Sequence, residues 1–398
     1  MVTRDKNHSN GVYDPPCLPH DSTVQLGHEK SLFNHTDRIM KQFISLLVLV
    51  LCNTASPEKE VGGRITRDTR WSMADGPYYL TSDLVVEKNA RLTISAGCRI
   101  IVSDVPKTDT IIAQIDNIDK DKIAVKIYGT LICVGKNDMR ITFSPDSSSG
   151  RQIPSWYGIV MNNANEQFTE ITHTDITGAY SAISFKECSP SVRNSVFEYN
   201  HIGIQCFDRA NTHITNCIIA FNTAAGLRVN NANPQISNSI IVCNRNCGFW
   251  CDGLSKITIS YNCIHENGDG DFMECDPELG ILTKKNDNGD STDIFNNIFS
   301  DPVFIGSVAD SAARQHDLSI PTERRKIKDF RISEIIHAKA EHKQETTRTT
   351  TKGRYRPAKY SPCIDAGDPA KSFRDSDGSR NDIGIWGGPG LTEKRPRQ

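Results

Sequence analysis

The chain has 398 residues, with 46 Lys plus Arg against 48 Asp plus Glu. That near-balance excludes the strong single-sign field that recruits nucleic acid or an anionic membrane surface, and the length suits either two ordinary domains or one elongated repeat array. Only 37% of residues are hydrophobic, while Asn, Gly, Ser and Thr are plentiful, a mixture that favours many short strands and tight turns over a helical bundle.

Residues 1–39 are polar and lack periodicity; they are expected to be disordered or to precede the true start at Met40. From Met40 to Ala55 the sequence MKQFISLLVLVLCNTA sets a basic residue before an apolar run, Phe43 to Leu51, and small or polar residues after it. This is the anatomy of a signal peptide. The run is too short to span a bilayer comfortably, so the expectation is export to the cell envelope or beyond, cleavage near Ala55 and no transmembrane span in the mature chain. Cys52 after Leu-Val-Leu resembles a lipoprotein box with a bulky Leu51 at the position that wants a small residue, so lipid anchoring at Cys52 is the alternative.

Trp71 to Tyr79, WSMADGPYY, is read as an N-terminal cap, since an open column of strands must hide its ends. Short strand-like runs follow at Asp83 to Val86, Arg91 to Ile94, Arg99 to Val102, Val125 to Ile127, Thr130 to Ile132 and Ile141 to Phe143. Thr108 to Lys122, rich in Asp and Lys, is expected to loop off the pattern. Gly158 to Met161 and Glu170 to Ile176 add further strands.

From Ala182 the chain aligns on itself in four units: AISFKECSPSVRNSVFEYNHI, GIQCFDRANTHITNCIIAFNTAA, GLRVNNANPQISNSIIVCNRNC and GFWCDGLSKITISYNCIHENGDG. The unit heads are Ala182, Gly203, Gly226 and Gly248. One asparagine recurs at Asn194, Asn216, Asn238 and Asn262, with spacings 22, 22 and 24, and a second at Asn200, Asn222, Asn244 and Asn267, with spacings 22, 22 and 23. Apolar residues alternate with the period of strands. A module of this length with three short strands and three turns is one coil of a parallel β-helix. Stacked coils turn each column of like residues into a ladder about 4.8 Å per step, and asparagine both hydrogen-bonds along such a ladder and tolerates left-handed backbone. Both asparagine columns are therefore assigned to structure, not ligand binding.

Three stretches, RWSMADGPYYLTSDLVVEKNARLTISAGCRIIV, the Asn-marked coils and SPCIDAGDPAKSFRDSDGSRNDIGIWGG, give the chain from Trp71 to Gly388 a likeness: it resembles the right-handed parallel β-helix proteins of the pectate-lyase-like superfamily, especially bacterial exported groups. The resemblance implies the fold, export and a link to carbohydrate biology. It implies no activity, because the clustered Asp, Arg and His sets of its lyases and hydrolases are missing and fold does not dictate function.

Candidate chemistry is sparse. Asp365, Asp368, Asp375, Asp377 and Asp382 form the best cation constellation, with Asp375-Ser-Asp377-Gly378 like the opening of a calcium loop; calcium at Asp375, Asp377 and Asp382 is weighed against a turn in which Asp375 or Asp382 pairs Arg380. Asp269, Asp271, Asp276, Asp287, Asp290 and Asp293 are read as polar loops, with calcium the alternative. His173, Glu187, Glu198, Asp208, His213 and His265 are the ionisable groups scattered over the coils, where acid–base catalysis needs a matched pair. Glu187 and Asp208, 21 residues apart, are expected one coil apart. Of the 13 cysteines, Cys188, Cys206, Cys217, Cys243, Cys251 and Cys263 read as small core hydrophobes, with one disulfide open among Cys243, Cys247, Cys251, Cys263 and Cys275. Residues 321–359 carry 12 Lys or Arg against 5 Asp or Glu and read as a basic loop, with Phe330 to Lys339 its one plausible helix.

The resulting expectation is an all-β solenoid of about ten coils with terminal caps. Residues 62–304 form the β-helix, 305–359 the loop and basic insertion, and 360–390 the C-terminal cap. Without a recognisable catalytic set, it is expected to bind polysaccharide or a surface protein without catalysis and without a cofactor; a lyase or hydrolase of acidic polysaccharide is the alternative.

Overall fold

The structure, a computed structural model, describes residues 59–103, 122–146, 154–305 and 355–389. Residues 1–39, the expected signal segment 40–55 with Cys52, nearly all of the expected loop 108–122 and most of the basic stretch 321–359, with its expected helix at 330–339, lie outside the described residues.

The described chain winds as a parallel β-helix with three faces. The first face stacks the second half of strand Tyr78–Val86, then Ala124–Ile127, Gly158–Asn162, Ser181–Lys186, Ile202–Phe207, Ala225–Asn230, Cys247–Trp250 and Gly270–Met273. The second runs from Thr69–Trp71 through Arg91–Ser95, Thr130–Val134 and Glu170–Thr172 to Thr258–Ser260. The third stacks the first half of Tyr78–Val86, then Arg99–Val102, Ile141–Pro145, Thr174–Thr177, Val196–Glu198, Ile218–Ala220, Ile240–Val242 and Cys263–His265. The second face is 8-stranded, one strand per turn, so the column has about eight coils and not ten. After Met273 the chain adds only a short rung, where Ile298 pairs Cys263 in parallel, and forms no further strand of the three faces.

Alternation sends Ile183, Phe185, Ile204, Leu227, Val229 and Phe249 inward to one continuous core in which each is at most 1% exposed. Each such side chain contributes about 1.5–3 kcal/mol on burial. The glycines at unit heads have a steric reason: a Cβ on Gly226 would lie 2.7 Å from the Gly248 carbonyl oxygen and 2.9 Å from Asn244 Nδ2.

Trp71 and Tyr78 stack at 4.6 Å within the first coil. They are not a separate cap: strand Lys59–Ile65 lies outside them, paired along Tyr78–Val86 with a register shift between Val61 and Gly63. At the other end Leu279 is buried and Phe272, Phe295 and Phe299 pack against the core, so the stretch after the last strand covers the final coil.

The segment 355–389 takes a different place from the end-cap that was expected. It lies along the flank of the third face, where Cys363, Ala366, Ile383 and Ile385 pack on Val196, Ile218, Ala220, Ile240, Val242 and Cys263 in a second hydrophobic cluster. The cause is local sequence. Ile218-Ile219-Ala220 and Ile240-Ile241-Val242 are apolar on both sides of the strand, and a strand of that kind must be covered on both faces.

Candidate functional site

The second asparagine column is a buried hydrogen-bond ladder. Asn222 Nδ2 donates to Asn244 Oδ1 at 2.8 Å and to the Phe197 carbonyl at 3.1 Å, while Asn222 Oδ1 accepts the Asn200 backbone N–H at 3.0 Å. Asn244 repeats the pattern with Asn267 Oδ1 at 2.9 Å and the Ile219 carbonyl at 3.1 Å. The left-handed residue of this turn is the one before each asparagine, at Tyr199, Phe221, Cys243 and Glu266.

The first column behaves otherwise. Asn194, Asn216 and Asn238 are themselves left-handed, and their side chains bond the C-terminal segment: Asn194 Nδ2 to the Gly387 carbonyl at 2.9 Å, Asn216 Nδ2 to the Asp382 carbonyl at 2.9 Å, and Asn238 Oδ1 from the Asp368 N–H at 2.7 Å. Asn262 does not join them. Ile240 pairs Cys263, so Asn262 stacks on Ser239 and bonds its N–H at 2.9 Å; the left-handed place belongs to Tyr261. One extra residue in the loop around Asp252 and Gly253 displaced the sequence alignment by one.

Asp375, Asp377 and Asp382, the cation candidates, serve backbone turns. Asp375 accepts the N–H of Gly388 at 2.7 Å, Asp377 that of Ser379 at 3.0 Å, and Asp382 that of Asp365 at 2.8 Å. Arg380 pairs Asp287 at 2.6 Å, not Asp375 or Asp382. In the other acidic stretch, Asp293 is fully buried and accepts the N–H groups of Phe295 and Asn297 at 3.0 and 2.9 Å, whereas Asp276 turns back on Glu278. Among the described residues no group of three or more His, Cys, Asp or Glu is placed to hold a metal ion.

The scattered ionisable groups do not meet as an acid–base pair. Glu187 and Asp208 do fall on adjacent coils, each against a cation: Arg209 to Glu187 at 3.4 Å and Lys186 to Asp208 at 3.5 Å. Glu198 is buried under the C-terminal segment and accepts the Tyr355 hydroxyl. His213 is exposed on the second face, and His265 lies 3.7 Å from Glu266.

His173 occupies the left-handed place that Asn194, Asn216 and Asn238 hold on later coils. It is 7% exposed, and burial, with Arg140 and Arg193 adding repulsion, lowers its pKa to about 4. The folded state therefore keeps the ring neutral where the unfolded chain, near 6.5, takes up a proton. Its contribution to stability is complete above about pH 6.5 and is lost as pH falls toward 4, by roughly 3 kcal/mol in all. His173→Asn keeps a residue suited to the turn, and its urea midpoint is expected to fall less than that of the parent between pH 7.5 and 4.5; equal falls would refute the assignment.

The remaining surface feature is the outward side of the first face. Three residues that lead into successive strands stack along the axis: Tyr157 on Tyr180 at 5.5 Å, and Tyr180 on His201 at 5.0 Å. Burial, then the positive charge of Arg228, lowers the His201 pKa, and its Nδ1 lies 3.0 Å from Thr223 Oγ1. Beside this edge run Ser184, Gln205, Arg228 and Trp250, in register on successive rungs. Ser184 donates to Gln205 Oε1 at 3.1 Å, and both are buried. Arg228 lies over the Trp250 ring at 4.7 Å from its centroid and has no ion pair among the described residues. Tyr180, His201, Arg228 and Trp250 are each partly exposed, so four coils present one polar-aromatic strip roughly 14 Å long. The self-alignment already places Ser184, Gln205, Arg228 and Trp250 two residues after their unit heads, but the sequence reading attended to the asparagine columns and to carboxylate pairs and passed over this column.

Residues 147–313 match the family model described as the right-handed β-helix region. With the parallel column seen here, the chain is a right-handed parallel β-helix protein, consistent with the likeness to the pectate-lyase-like superfamily. No curated protein and no solved structure matches the chain. Among the described residues no helix is long and apolar enough to cross a membrane.

Proposed function

We propose that this chain is an exported scaffold that binds an acidic carbohydrate on the strip Tyr180, His201, Arg228 and Trp250 and does not cleave it. The observation that carries the reading is Arg228 seated over Trp250 beside the Tyr180–His201 stack. Aromatic faces with polar tips suit the apolar faces and hydroxyl edges of sugars. A guanidinium without a protein carboxylate is a partner for a sugar carboxylate or sulfate. In the turns after these strands Glu187 and Asp208 are held by cations and Asp252 accepts the N–H groups of Asn231, Leu254 and Ser255, an arrangement that favours binding over the matched carboxylate pair of glycoside hydrolysis. Export is supported by the apolar run after Met40.

Binding of purified protein to polygalacturonate, alginate and a neutral glucan, read by calorimetry, tests this. Arg228→Ala with Trp250→Ala is expected to weaken binding to the acidic polymer at least tenfold with the unfolding midpoint little changed. Loss of affinity with added salt is also expected. Unsaturated or reducing product from the unaltered protein would overturn the non-catalytic reading, and absence of binding to every polymer would overturn the carbohydrate.

A further inference from the structure

Two pairs of cysteines stand out from the rest. Cys251 and Cys275 place their sulfurs 2.7 Å apart on neighbouring coils, where Trp250 pairs Met273. A rung step of about 4.8 Å lies inside the range of Cα separations that a disulfide bridges. Glu274, left-handed at φ 53, turns the chain there and brings Cys275 back against Cys251. The second pair joins distant parts of the chain. Cys263 on the third face and Cys363 in the flanking segment are both fully buried in the same hydrophobic cluster, and the contact with Cys363, then burial, raises the Cys263 pKa. Cys206 and Cys217 lie in the same main core as Cys251, and burial pushes each up to about 12; what sets Cys251 apart is the Cys275 sulfur 2.7 Å away.

We propose that Cys251–Cys275 and Cys263–Cys363 are disulfide sites, the first tying the last strand of the first face to the coil beneath it and the second tying the flanking segment to the column. The co-reactant is a disulfide oxidant, such as glutathione disulfide or the active-site disulfide of an oxidoreductase. One cysteine thiolate attacks an oxidant sulfur, the oxidant's S–S bond breaks, and one thiolate leaves. The second cysteine thiolate then attacks the protein sulfur of the mixed disulfide and expels the other oxidant thiolate. Two electrons pass to the oxidant, and the two thiol protons end on its thiols. Because Cys263 and Cys363 are inaccessible once the segment has docked, their bond closes during folding.

The test refolds the full chain in a glutathione redox buffer, alkylates it in denaturant without reductant and maps the peptides by mass spectrometry. The expected result is four fewer alkylated cysteines than the 13 of the reduced chain, with linked peptides joining Cys251 to Cys275 and Cys263 to Cys363. Alkyl label on all four, or pairing to other cysteines, would overturn the proposal, and one linkage without the other would remove the missing pair. Cys363→Ser with Cys263→Ala tests the consequence. The parent is expected to lose thermal stability on reduction by several degrees more than this variant does; equal losses would show that the second bond does not form.

Discussion

Asn222→Ala is expected to cost about 4 kcal/mol or more, enough to unfold the central coils at ordinary temperature. The side chain is fully buried and serves four bonds: two donated by Nδ2, to Asn244 Oδ1 and the Phe197 carbonyl, and two accepted by Oδ1, from the Asn200 backbone and side chain. Alanine leaves those partners in a dry interior, and each buried polar group left unsatisfied costs about 1–3 kcal/mol. Aspartate is expected to be worse, because an acceptor would face the Phe197 carbonyl and Asn244 Oδ1. The control is Asn211→Ala, at an exposed turn where Asn211 Oδ1 accepts the Asn233 N–H at 3.1 Å; it is expected to cost under about 1 kcal/mol. Urea unfolding followed by circular dichroism compares the three. An Asn222→Ala midpoint close to that of the control would show that the ladder carries little stability.

The difference between these asparagines also marks how far the fold was legible. Coils repeat identical turns, so asparagines recur at fixed spacing, and the core from Ala182 to Gly270 could be read directly. Asn262 was misplaced because spacing alone cannot separate a column from the neighbouring one when a loop gains a residue. The flank was harder. Asn194 and Gly387, or Asn216 and Asp382, are bonded across more than 160 positions, and no local pattern announces which segment covers which face. One signal was present: the triplets at Ile218 and Ile240 break alternation by being apolar outward as well as inward, which called for a cover without naming it. The tail aspartates resembled a calcium loop for a related reason. Asp and Asn form the same short polar turns whether they enclose a cation or, as Asp375 does, a backbone N–H.

The proposed strip has a support at the N-terminal side of the same face. Asp83 and Lys126 form an ion pair at 2.7 Å with side chains 0% and 4% exposed, and Asp83 also accepts the Ala124 N–H at 2.9 Å. Ala124 packs with Tyr157, Val160 and Tyr180, so the pair holds the strand against which the aromatic edge is laid. Lys126→Met removes the cation and leaves a buried carboxylate, a change expected to cost about 3–5 kcal/mol. Asp83→Asn is expected to be similarly costly, since the ammonium would remain buried opposite an amide. The double variant Asp83→Asn with Lys126→Met removes both charges and keeps an oxygen for the Ala124 N–H. It is therefore expected to recover most of the loss, giving a coupling energy above about 2 kcal/mol in a double-mutant cycle of urea midpoints. Additive losses would mean that the two side chains act independently. The same four proteins separate support from contact in the carbohydrate assay: with no direct part in the strip, the double variant is expected to bind the acidic polymer as the parent does, while each single variant binds more weakly through a displaced Tyr157–Tyr180 stack. Near-parental binding by both singles would detach the ion pair from the site and leave it a matter of stability alone.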